Sequence, residues 1–83
     1  MQGEVLIEGF RFNPGIVEVK AGSKLAWKNG DPLAHTVTAK DGSFRSDPLP
    51  SGKGFVVTFD RPGQYSYFCA IHPTMTGTVR VMG

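Results

Sequence analysis

The chain has very little cysteine. Among 83 residues only Cys69 carries a thiol, so no disulfide can form within the chain. At 9.0 kDa it is expected to form one small domain over residues 1–83. A domain of this size buries only about 60–65% of the surface its unfolded chain exposes, so its core is thin. Small domains commonly need a staple, and with internal disulfides excluded a bound metal is the natural choice. A dominant charge of one sign is also missing. Nine basic and seven acidic residues are dispersed without a basic run, which argues against nucleic acid as a partner. Apolar runs stop at about five residues, against the ~20 that a membrane helix needs, so no membrane span is expected. No leader-like segment precedes the strand pattern that begins by Val5. The expectation is either a cytoplasmic protein or a mature form in which Met1 replaces a removed leader.

Glycine and proline, by contrast, are plentiful. Eleven glycines and six prolines disfavour long helices and suit short strands joined by turns. Apolar and polar residues alternate in short blocks. Val5, Ile7, Phe10 and Phe12 suggest a first strand that ends at Asn13-Pro14-Gly15. Val17 and Val19, then Leu25 and Trp27, suggest the next two. His35 to Ala39 is rich in β-branched residues and stops at Lys40-Asp41-Gly42. A loop over Ser43–Lys53 follows, with Pro48 and Pro50 excluding a central strand. Phe55, Val57 and Phe59 share one face of a strand, Tyr65, Tyr67 and Cys69 one face of another, and Thr76 to Val81 forms the last. Seven to eight short strands separated by turns indicate an all-β sandwich.

The segment with chemical content is Cys69-Ala70-Ile71-His72-Pro73-Thr74-Met75. It sets a thiolate, an imidazole and a thioether three residues apart at the end of a strand, a stride that lets side chains of a tight loop converge. The only other histidine, His35, lies 34 residues upstream. A sandwich can bring it beside that loop. Two imidazoles, one thiolate and one weak thioether form the ligand set of a blue-copper electron-transfer site. Taken singly, each residue has a plainer reading: Cys69 as a small buried hydrophobe, His35 as a satisfied core or surface residue, Met75 as core filler. Zinc is the rival metal, with Asp31 or Asp41 as a conceivable fourth ligand. Met1 and Met82 lack this setting and read as initiator and terminal residue.

On these residues the sequence resembles the cupredoxins, and within them the amicyanin/plastocyanin-like group. Pro62 to Val79 is similar to the group's P-G-x-Y-x-Y-x-C-x-x-H-P-x-M-x-G-x-V pattern, and Trp27 to Val37 to its W-x-N-x-D-x-x-x-H-T-V. The resemblance covers nearly the whole chain. It implies a Greek-key β-sandwich with one copper ion at one end, His35, Cys69 and His72 as equatorial ligands and Met75 as the axial ligand. It also implies a hydrogen bond from the Thr36 amide to the Cys69 sulfur. Two departures stand out. Thr36 replaces an asparagine that ties the ligand loops together, which questions the stiffness of the site. Ile71 replaces a proline, which frees an N–H for a second bond to Cys69. The implied function is that of a one-electron carrier rather than an enzyme, with a copper store or chaperone as the alternative. The implied partners are redox proteins that dock transiently around His72 on a ring drawn from Leu33, Pro48, Leu49, Pro50, Ile71 and Pro73. Phe68 marks a possible second surface, although packing on its own sheet is the plainer role. A monomer in a periplasmic or otherwise extracytoplasmic compartment is expected.

Overall fold

Alternating burial and frequent turns divide the chain into eight strands: β1 (Gln2–Ile7), β2 (Phe12–Asn13), β3 (Ile16–Lys20), β4 (Ser23–Asn29), β5 (Thr38–Ala39), β6 (Gly54–Phe59), β7 (Gly63–Phe68) and β8 (Thr76–Met82). The computed structural model describes residues 2–83; Met1, read as the initiator, lies outside the described residues. Two four-stranded sheets form, in the orders β2-β1-β4-β6 and β3-β8-β7-β5. The chain changes sheet at every connection from β2 to β7. Two pairs, β1 with β4 and β3 with β8, are therefore parallel, and the others are antiparallel. The all-β sandwich read from the sequence is present, and no described residue is helical.

The inner faces meet in one core. Val5, Ile7, Leu25, Trp27 and Phe59 come from the first sheet, and Val19, Tyr67, Val79 and Val81 from the second. Trp27 is buried and meets the Tyr67 ring edge-on at 5.4 Å, while Phe12 reaches the same ring at 4.6 Å. Edge-on aromatic pairs add favourable quadrupole contact to the area they bury. This aromatic centre fills the middle of a thin sandwich.

Two strands differ from the sequence reading. The first run breaks because Gly9 and Phe10 both adopt positive φ, 66° and 56°. They turn the chain so that Phe12 pairs back against Ile7. A two-residue hairpin of this hand usually places glycine second, so the order Gly9-Phe10 conceals the turn inside an alternating pattern. The His35–Ala39 run contracts to Thr38–Ala39, because its earlier residues bond to the Ser43–Lys53 loop and not to a full ladder. Val37 N donates to Ser46 Oγ at 2.9 Å, Ser46 N donates to Val37 O at 2.8 Å, and His35 makes only an isolated bridge with Leu49.

Gly77 is required by packing. It lies opposite Tyr67, and an added Cβ would fall inside the ring, within contact of Cζ and Oη. Gly77→Ala is expected to lower unfolding free energy by about 1–3 kcal/mol, read from the urea midpoint; an unchanged midpoint would contradict this packing. The Tyr67 hydroxyl lacks a hydrogen-bond partner, and burial pushes its pKa from 10.0 to about 12, with the Trp27 side chain opposing weakly. Because the unfolded chain ionises first, the stability gained from a neutral Tyr67 is full below pH about 10 and is lost as pH rises through about 12. Alkaline spectrophotometric titration of Tyr65→Phe, where Tyr67 is the only tyrosine, should show this late ionisation; titration near 10 would count against it.

Candidate metal centre

β7 ends at Phe68, and the next residue, Cys69, is fully buried. The chain then folds back on itself. Met75 N donates to His72 O at 2.9 Å, and Cys69 N donates to Met75 O at 3.1 Å, so Cys69 and Met75 become neighbours at the base of a short loop. Met75 is buried there and leads into β8. His35 arrives from the segment before β5, held by two backbone bonds to Leu49.

These connections bring three donor atoms together. Cys69 Sγ lies 3.7 Å from His35 Nδ1 and 4.0 Å from His72 Nδ1, and all three atoms fall within 4.8 Å of one another. Bonds of about 2.3 Å to sulfur and 2.05 Å to nitrogen, meeting near 120°, separate the two donors by about 3.8 Å. The donors are therefore spaced to share an ion, and a thiolate with two imidazoles suits copper or zinc. Neither Asp31 nor Asp41 joins the group. The carboxylate conceivable as a fourth zinc ligand is engaged elsewhere in both cases: Asp41 is exposed and accepts from Ser43 N, and Asp31 faces the far nitrogen of His35.

Hydrogen bonds fix two of the three donors, Cys69 Sγ and the His35 ring. Thr36 N donates to Cys69 Sγ at 3.3 Å, as the resemblance implies. The doubt over Thr36 is answered by its hydroxyl, which accepts from Ala70 N at 2.7 Å and pairs with Thr38 Oγ1 at 3.0 Å. A threonine thus ties the ligand loops, because the backbones approach closely enough for a shorter side chain. The second N–H bond expected from Ile71 is not formed; among the described residues Thr36 is the only N–H donor to the sulfur. His35 Nε2 lies 2.8 Å from Asp31 Oδ2. A proton on Nε2 donated to that carboxylate leaves the Nδ1 lone pair facing Cys69.

A profile of the copper binding proteins of the plastocyanin/azurin family matches residues 1–82. The chain belongs to this family. It is 35% identical over 80 residues to amicyanin from Paracoccus versutus, covering 90% of this chain but only 61% of that sequence. It is 37% identical over 83 residues to amicyanin-alpha from Methylorubrum extorquens, covering 94% of this chain and 70% of that one. Among solved structures, a copper-containing nitrite reductase from Thermus scotoductus superposes with a TM-score of 0.93 at 28% identity. That match covers all of this chain and 23% of the reductase.

Within this plastocyanin/azurin family protein, three supporting residues have roles that the sequence did not assign. Asn29 is buried and donates to Leu33 O and Leu49 O, both at 2.8 Å, which fastens the two loops flanking His35. Asp31 accepts from Gly9 N at 2.7 Å and Phe10 N at 2.9 Å besides meeting His35. Burial pushes the Asp31 pKa up, but the Phe10 and Gly9 amides and the His35 ring outweigh it and hold the carboxyl below its ordinary value. Phe10 itself sits over both histidine rings. Asn29 and Asp31 are the N and D of the W-x-N-x-D-x-x-x-H-T-V pattern, which marked their positions but not their partners. Asp31→Ala is expected to weaken copper binding by about 10–100-fold, measured by chelator competition; unchanged affinity would show that the carboxylate does not orient His35.

Proposed function

We propose that this chain is a type 1 copper electron-transfer protein, with His35, Cys69 and His72 as equatorial ligands and Met75 as the axial one. The observation that carries this reading is the buried group of Cys69 Sγ and two imidazole Nδ1 atoms at the spacing of a shared ion. Bound copper supplies a one-electron Cu(I)/Cu(II) couple. The protein's own residues provide the rest. Cys69 and His35 are fully buried, so water is kept from the thiolate and from the inner imidazole. Thr36 and Asp31 fix their orientation, which limits the rearrangement that accompanies a change of charge. His72 is only half-buried and offers an edge to a partner.

The surroundings of His72 suit transient docking. Phe10, Leu33 and Ile71 are 46%, 51% and 46% exposed, and Pro48, Pro50 and Pro73 are exposed as well. Leu49 was expected in this ring but is 7% exposed and belongs to the core. A small apolar surface supports weak contact with redox proteins, which turnover requires. We read the chain as a carrier and not as an enzyme. We further read the chain as a single-domain monomer working outside the cytoplasm. No helix among the described residues is long and apolar enough to cross a membrane.

The alternative of a copper store or chaperone is less favoured, since such proteins present exposed, flexible ligands. Titrating the metal-free protein with Cu(II) should give a one-to-one, intensely blue complex with reversible voltammetry, abolished in Cys69→Ser. Met75→Leu should keep the colour and raise the potential. Colourless binding of Cu(I) alone would support the store or chaperone, and failure to bind copper would overturn both.

A further inference from the structure

Phe10 combines three features that rarely occur together. It is a non-glycine residue at φ 56°, a backbone region costly for an aromatic residue. The residue is 46% exposed, so only part of its apolar surface is buried in compensation. Yet its ring lies edge-on to both histidines, with centroids 5.3 Å from His35 at 89° and 5.1 Å from His72 at 75°. Glycine or asparagine would relax this turn. A disfavoured backbone that persists at a site points to function.

The hairpin tip is not free to drift. The Asp31 carboxylate accepts from the Gly9 and Phe10 amides and also meets His35 Nε2, so one side chain fixes both the turn and the inner imidazole. His72 has no equivalent anchor. Among the described residues its ring nitrogens make no polar contact except the 4.0 Å approach of Nδ1 to Cys69 Sγ. Its orientation therefore rests on packing, with Phe10 on one side and the His35 ring, 5.1 Å away, on another.

We propose that Phe10 is a positioning residue of the metal centre, strapped down by Asp31, whose ring holds His72 toward Cys69 and His35 before the metal arrives. This rests on the copper reading given above, but it makes a separate claim about the metal-free protein.

Two variants test it. Phe10→Asn suits the turn and removes the ring; Phe10→Tyr keeps the ring. In metal-free protein, NMR relaxation should show greater mobility of the His72 ring in Phe10→Asn and wild-type behaviour in Phe10→Tyr, while the thermal midpoint of Phe10→Asn stays level or rises. In copper-loaded protein, release to a chelator should accelerate by about tenfold in Phe10→Asn and stay within about twofold in Phe10→Tyr. Release and His72 mobility unchanged in Phe10→Asn would overturn the proposal. So would faster release matched by an equal loss of metal-free stability, since Phe10 would then be merely structural. If wild-type protein bound no copper, the function would fall, and His72 mobility would still decide the role of Phe10.

Discussion

The structure depends on the close approach of two backbones at one end of the sandwich. Thr36 N donates to Cys69 Sγ at 3.3 Å, and Ala70 N donates to Thr36 Oγ1 at 2.7 Å. Residues more than 30 positions apart in sequence are thereby joined twice, once through the thiol and once through the neighbouring backbone. The sheet order makes this possible, because β5 pairs directly with β7 and the segments just beyond their paired ends lie side by side. Cys69 Sγ and the His35 ring are then held in place by contacts of the fold itself. Such preorganisation is what fast electron transfer requires, since a rigid donor set changes little when the metal gains or loses charge.

The same junction bears on the stability of a thin core. The aromatic centre of Trp27, Phe12 and Tyr67 fills the middle of the sandwich. At the His35 end, buried polar groups take over from apolar packing: Asn29, Asp31, His35 and Thr36 are all buried. Hydrogen bonds satisfy them, but the end is held by a network of loops. A metal bound to both the His35 segment and the Cys69–Met75 loop links this end across the chain and stabilises the folded state in proportion to its affinity. The absence of disulfides is therefore no deficit in this protein.

Much of this was legible in the sequence, for identifiable reasons. Cys69, His72 and Met75 lie within seven consecutive residues, so local spacing alone made them a group. His35 was legible as the one other imidazole, and alternation marked most of the strands. Long-range placement was less legible. Asp31 read as a possible ligand because a carboxylate near a histidine can serve the metal or the far ring nitrogen, and only the fold decides between them. Thr36 looked too short to tie the loops because side-chain length was visible and backbone separation was not. Leu49 passed for a surface residue between two prolines, although it pairs with His35 and points inward. Phe10 was taken into a strand because its turn breaks the usual residue order.

The central claim is that the donor set exists before the metal binds. Crystal structures of the metal-free and copper-loaded protein test it most directly. The account predicts that His35 Nδ1, Cys69 Sγ and His72 Nδ1 stay within about 0.5 Å of their metal-free positions when copper is bound, with the Thr36 bonds to Cys69 and from Ala70 intact. A metal-free structure in which the Cys69–Met75 loop has parted from Thr36, or His72 has swung away from Cys69, would contradict it.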